Sequence, residues 1–109
     1  MVTHKSRASP DSDPFKAVGD ATRREILLKL LDGPAPVYTI AEQFNVTRPA
    51  ISKHLKVLKD AGLVQQEKVG REILYHVDPR ALAEVRAWLD TFWTRGLARL
   101  KKAAEGKKR

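Results

Sequence analysis

The side chains with the greatest chemical capacity in this chain are gathered between residues 47 and 60. Thr47, Arg48, Ser52, Lys53 and Lys56 supply hydroxyl, guanidinium and ammonium donors in one short stretch, with Pro49 among them and Asp60 at its end. No member of the group is a nucleophile set beside a base, so the chemistry open to it is hydrogen bonding and charge pairing. Guanidinium and ammonium groups suit phosphate oxygens and the O6 and N7 edge of guanine, and a hydroxyl can donate or accept. The rest of the chain offers no route to catalysis: it has no P-loop, no Gly-rich dinucleotide turn, no nucleophile elbow and no carboxylate pair suited to a pocket. It is not expected to be an enzyme and calls for no cofactor. Cysteine is absent, which removes disulfides, thiolate metal sites and thiol redox switches. The three histidines, His4, His54 and His76, are scattered without metal-ligand spacing.

Composition points the same way. The chain has 109 residues, enough for one domain with a modest core, and its 42% hydrophobic content is ordinary for a globular protein. Lys and Arg number 21 against 13 Asp and Glu, a formal net charge of +8. That excess suits a polyanion, whether nucleic acid or an anionic membrane surface. No apolar run approaches the roughly 18 residues of a membrane span, and Met1 to Asp13 lacks the apolar stretch of a secretory signal. A cytoplasmic location without membrane association is the expectation.

The elements that must hold the basic group are legible from caps and periodicity. Residues 1–12, rich in Ser, Pro and charge, read as a disordered arm. Asp13-Pro14 is a cap followed by proline, starting a short helix that stops near Gly19. Asp20 caps a second helix with Ile26, Leu27, Leu30 and Leu31 on its buried face, ended by Gly33-Pro34. A third helix, roughly 38–44, turns Val37, Ile40, Ala41 and Phe44 inward. Asn45 tolerates a left-handed turn, Val46 is expected to plug beneath it, and Thr47 caps a fourth helix over 48–61 that ends at Gly62. Two β-leaning runs, 63–69 and 72–77, flank Gly70-Arg71 as a hairpin, with Tyr75 and Val77 facing in. Asp78-Pro79 repeats the cap-plus-proline start of a last helix of about 25 residues to Ala104, spanning about 37 Å. The fold class is mostly α with a small β-hairpin wing, a winged helix-turn-helix in the order α-α-α-α-β-β-α. The domain covers 13–104, with 105–109 a basic tail.

Ile51, Leu55 and Leu58 repeat at i, i+4 and i+7, one buried stripe on the fourth helix. At about 100° per residue, Pro49, Lys53, Lys56 and Asp60 then lie opposite, with Arg48 and Ser52 on the flank near the helix start. A recognition helix enters the major groove with its N-terminal residues at base edges. Arg48, Ser52 and Lys53 are the candidate base contacts, Thr47 and Lys56 suit phosphates, and Pro49 offers apolar surface to a thymine methyl. A solvated amphipathic helix would show the same lysines. The turn before it and the hairpin after it favour a reader of double-stranded DNA. Arg71 at the hairpin tip suits flanking phosphate or a minor groove, although Glu67 and Glu72 weaken the local field.

Three blocks resemble the ArsR family of bacterial repressors: 20–27, Asp-Ala-Thr-Arg-Arg-Glu-Ile-Leu; 47–58, Thr-Arg-Pro-Ala-Ile-Ser-Lys-His-Leu-Lys-Val-Leu; and 61–64, Ala-Gly-Leu-Val. The likeness extends over residues 14–104, and the second block is quite specific. It implies winged-helix homodimers that bind operator DNA and block transcription, with Arg48, Pro49, Ser52 and Lys53 approaching DNA. Ala21 departs from a proline common in the family. Metal-sensing members use cysteines near the third helix, or Asp and His on the last. This chain has no cysteine and no histidine on its last helix, so it resembles the metal-independent type.

The last helix carries Leu82, Val85, Leu89, Phe92, Trp93, Gly96, Leu97 and Leu100 on one apolar face, longer than a small core can cover. A second copy would cover it, Gly96 permitting close backbone approach and Phe15 joining the seam. The helix could instead fold back on its own domain, and Trp88, Phe92 and Trp93 could line a small-molecule pocket, although such a stripe is more often packing. Two-fold symmetry would set two recognition helices about 34–36 Å apart on a palindromic site. The overall expectation is a homodimeric repressor, its small-molecule effector unknown. The alternative is a winged-helix interaction module whose basic face meets an acidic protein. RNA fits less well, because a major-groove helix does not fit A-form RNA.

Overall fold

The computed structural model describes residues 12–106. Four helices begin where a short polar side chain can satisfy an amide left without a helical partner. Asp13 Oδ1 accepts from Phe15 N (2.9 Å) at the start of α1 (Pro14–Ala17). Asp20 Oδ2 accepts from Arg23 N (3.0 Å) ahead of α2 (Ala21–Leu30), and this bond, first among several influences, lowers the Asp20 pKa. α3 (Val37–Glu42) follows Pro36 without a side-chain cap. Thr47 Oγ1 accepts from Ala50 N (3.2 Å) at the start of α4 (Arg48–Asp60). Asp78 Oδ1 accepts from Arg80 N (3.1 Å) at the start of α5 (Pro79–Gly106). Between α4 and α5 run β1 (Val64–Val69) and β2 (Glu72–Val77), paired antiparallel from Val64 opposite Val77 to Val69 opposite Glu72. The order and class are those of a winged helix-turn-helix, as the sequence implied.

Two glycines set the geometry around α4 and the wing. Gly62, at φ +80°, follows the α4 C-cap Ala61. Its amide donates to Lys59 O (2.9 Å) and that of Leu63 to Leu58 O (2.9 Å), the two bonds of a Schellman motif. Leu58 and Leu63 are both fully buried, so the stop also seals the core. Gly70, at φ +64°, is the first residue of the two-residue loop, while Arg71 keeps a negative φ, the pattern of a type II′ hairpin.

The core is built from Ile26, Leu27 and Leu30 of α2, Ile40 of α3, Ile51, Leu55 and Leu58 of α4, and Leu63 and Val64. Tyr75 and Val77 pack against it from β2, as expected. A tie absent from the sequence reading is an antiparallel bridge between Ala35 and Tyr75, with Ala35 N to Tyr75 O at 3.1 Å and Tyr75 N to Ala35 O at 2.8 Å. It fastens the α2–α3 connection to the wing.

Several local expectations are corrected. α3 spans Val37–Glu42 rather than 38–44, because the amides of Gln43 and Phe44 bond to Ile40 O and Ala41 O in a tighter turn. Phe44 packs on the core from that turn, which leaves Val46 41% exposed instead of plugged beneath it. Among the described residues no non-glycine has a positive φ, so Asn45 turns without the left-handed conformation. Leu31 is the α2 C-cap and 68% exposed, not part of the buried face. It borders an open apolar groove of about 400 Å³, walled on the other side by Leu82, Val85 and Leu89. α5 runs to Gly106, past Ala104 and into the proposed tail. Of that tail, 107–109 lie outside the described residues, as does the proposed arm except Ser12.

Candidate nucleic-acid interface

The geometry of α4 follows from what its stripe buries. Ile51, Leu55 and Leu58 are completely buried, each stabilising the fold by about 1.5–3 kcal/mol relative to exposure. Their phase on the helix leaves no freedom for the opposite face. Arg48, Pro49, Ser52, Lys53 and Lys56 are all exposed, and so is the capping Thr47. These six expected contact residues thus share the N-terminal and outer surface of one helix. The free amides at that end, with the helix dipole, add an anion-favouring field to the arginine and lysines. Lys56 Nζ is bonded to Asp60 Oδ2 at 2.9 Å, so a phosphate contact from Lys56 must exchange a surface ion pair, which is worth little.

Arg71 is exposed at the wing tip with Lys68 and Glu67 near it, each exposed. The wing is anchored at its root rather than at its tip. Asp78, 7% exposed, accepts from Gln65 Nε2 (3.0 Å) and from Arg80 Nη2 (2.6 Å), while its amide donates to Leu63 O (2.8 Å). It therefore joins the entry of β1, the exit of β2 and the start of α5. The Arg80 side chain is the main reason that its carboxyl is held well below the usual carboxylate range, with the Arg80 amide and Gln65 adding to the effect. Sequence reading identified Asp78 as a cap but not as this junction.

α4 is also held from behind. Arg23 donates through Nε to Ala17 O (2.7 Å) and through Nη2 to Lys16 O (3.3 Å), and its Nη1 lies 3.3 Å from His54 Nδ1. His54 is half-buried against α2, which fits a packing role. At the reading end, the Arg48 guanidinium lies 5.9 Å from the centre of the Tyr38 ring, and the Tyr38 hydroxyl donates to Glu72 Oε2. Tyr38 drew no attention in the sequence, because nothing local announces a contact across 34 positions. Among the described residues no three His, Asp or Glu side chains converge as a metal site, and no helix is long and apolar enough to cross a membrane.

The residues nominated for a dimer seam divide between two settings. Leu82 and Val85 are half-buried and, with Leu89, face the groove beside α2. Further along, Phe92 (55%), Trp93 (57%) and Leu100 (67%) are exposed, and a Cβ at Gly96 would meet nothing within 4 Å. Phe15 reaches α5 edge-on at Trp88 (6.1 Å between ring centres), Trp88 stacks on Phe92 (5.5 Å), and Phe92 meets Trp93 edge-on (6.0 Å). No residue of α5 is buried.

Comparison with known proteins agrees with this geometry. Residues 20–66 match the family model for bacterial regulatory proteins of the arsR family. The chain is 47% identical over 97 residues to the HTH-type transcriptional regulator Rv2034 of Mycobacterium tuberculosis, covering 89% of this chain and 87% of the relative. It is 38% identical over 82 residues to the transcriptional repressor SdpR of Bacillus subtilis, covering 75% of this chain and 91% of the relative. Among solved structures it resembles the homodimeric winged helix-turn-helix DNA-binding domain of Mb0332 from Mycobacterium bovis, a possible ArsR-family regulator. The TM-score there is 0.59 at 28% identity, over 70% of each chain. These relatives are transcriptional regulators, a non-enzymatic class. With its helix-turn-helix exposed for DNA and its wing beside it, the chain belongs to the ArsR family of bacterial transcriptional regulators.

Proposed function

We propose that this chain is a homodimeric repressor that occludes a palindromic operator. The observation that carries the reading is the outward placement of Arg48, Ser52 and Lys53 at the start of α4, imposed by the complete burial of Ile51, Leu55 and Leu58. α4 enters the major groove. Arg48, Ser52 and Lys53 read base edges there, Pro49 meets a thymine methyl, and Thr47 and Lys56 hold phosphates. Arg71 at the wing tip contacts flanking backbone or minor groove. Repression needs only occupancy, and the name of the relative SdpR is consistent with it.

The second copy is supported by the unburied apolar length of α5 and by the homodimeric state of the Mb0332 domain. The aromatic run from half-buried Phe15 to the exposed Trp88, Phe92 and Trp93, with Gly96 and Leu100 beyond it, supplies the centre of the seam, and Leu82, Val85 and Leu89 its edge toward α2. Selection of bound sites from a random duplex pool tests both halves of the reading. A palindrome with half-site centres one DNA turn apart is the expected outcome. A single unrepeated half-site would remove the symmetric dimer, and recovery of no preferred sequence would remove base reading. Affinity for the selected site should also fall steeply with salt as counterions are released.

A further inference from the structure

Three elements of different sequence origin meet at Tyr38. It stands near the start of α3, beside the N-terminus of α4 and the first residue of β2. Its ring lies against the Arg48 guanidinium at 5.9 Å, and its hydroxyl donates to Glu72 Oε2. Tyr38 is 42% exposed, so it does little for the core, which Ile40 fills from the same helix. An exposed aromatic side chain with a specific partner at each end is placed by those partners.

The arrangement matters because of what the two partners do. Arg48 is long, exposed and at the first position of the reading helix. An arginine free to sample many rotamers loses that freedom on meeting a base edge, whereas one already resting on a ring has lost part of it beforehand. Glu72 stands next to Arg71 at the wing tip, where a free carboxylate would face incoming phosphates. Bonded to Tyr38, it is drawn toward α3 instead and fixes the ring in place. A tyrosine hydroxyl is protonated at neutral pH in any case, and the same bond raises its pKa further.

We propose that Tyr38 is a positioning residue for DNA reading: anchored through its hydroxyl to Glu72 of the wing, its ring holds the Arg48 guanidinium ready for a base edge. The inference rests on the reading of Arg48 as a base contact. It makes Tyr38 a determinant of sequence preference without its touching DNA.

The test uses the full chain, with the duplex selected from the random pool, that duplex changed at the base pair whose preference Arg48→Ala relaxes, and random duplex. Tyr38→Leu should lower the ratio of affinities for selected over changed duplex by about two- to five-fold, the size of an exposed cation–π contact, with random-duplex affinity held within about two-fold. Tyr38→Phe keeps the ring but loses the bond to Glu72, so its ratio should fall between those of the parent and Tyr38→Leu. The double variant Tyr38→Leu/Arg48→Ala should lose no more preference than Arg48→Ala alone. Tyr38→Gln, which also lacks the ring, gives the same readout should the leucine variant not fold. Equal loss on all three duplexes would mean a merely structural role and would overturn the proposal. So would an unchanged ratio in Tyr38→Leu while Arg48→Ala relaxes one base pair. If Arg48→Ala relaxes none, the underlying reading of Arg48 fails, and the proposal falls with it.

Discussion

α4 and α5 are both amphipathic helices, yet the chain covers the apolar stripe of only one of them. In α4 the stripe of Ile51, Leu55 and Leu58 is completely buried under α2, α3 and the wing root. In α5, more than twice as long, nothing is buried, and Phe92, Trp93, Leu97 and Leu100 are all more than half exposed. The difference separates two uses of one pattern. A stripe satisfied within the chain fixes the helix and so aims its other face, which for α4 is the basic one. A stripe left open is itself a surface, and for α5 we propose that a second copy covers it.

The contrast can be broken first within the open stripe of α5. Phe92→Glu puts a charge in the middle of the proposed seam and should convert the dimer to monomers by sedimentation, with operator binding lost along with it. An intact dimer would move the seam elsewhere. In α4 the stripe is internal, so Leu55→Ala should cost about 2–5 kcal/mol of stability by denaturant unfolding, from lost burial and the cavity left behind. Leu100→Ala should cost the isolated chain little, and its penalty should depend on protein concentration, as a dimer contact does. Equal, concentration-independent losses at Leu55 and Leu100 would erase the distinction between the two stripes.

Smaller effects sharpen the outward face and the junction behind it. Lys53→Ala should cost about 1–3 kcal/mol on the selected site and relax preference at one base pair. The same loss on random duplex would reassign Lys53 to phosphate. The smallest effect is expected at Asp78, whose main partner Arg80 is largely open to solvent. Its carboxyl titrates below the usual range, chiefly because Arg80 donates to it. A depressed carboxylate contributes stability that is in place above its unfolded pKa and is lost as pH falls through the folded value. Acidification below about pH 4 should therefore lower the urea midpoint of the parent, and Asp78→Asn should flatten that part of the profile.

Much of the fold was legible because its signals are local. Asp13, Asp20, Thr47 and Asp78 each cap the helix that they precede, and a cap needs only the next two or three amides. Gly70 takes the positive φ that a two-residue hairpin requires. The residues read as facing DNA are exposed for an equally local reason, the phase of a helix relative to its apolar stripe. The misreadings occurred where tertiary packing chose between neighbours. Phe44, not Val46, reached the core from the turn, and Leu31 fell beyond the end of α2 beside an open groove. Periodicity treats such residues alike, because it carries no information on which of two nearby apolar side chains finds a partner. Tyr38, the Ala35–Tyr75 bridge and the bonds of Asp78 to Gln65 and Leu63 had no local signal, since those partners lie far along the chain.

By itself, then, the amino-acid order determined where helices start and stop, where the hairpin turns, and which face of α4 is basic, because caps, turn glycines and helical phase act over a few residues. The tertiary structure alone decided that the Arg48 guanidinium meets the Tyr38 ring, that the Tyr38 hydroxyl bonds to Glu72 of the wing, and that the apolar stripe of α5 beyond Trp88 is left exposed. Those outcomes depend on the distance between segments in space, which is set only when the whole core closes.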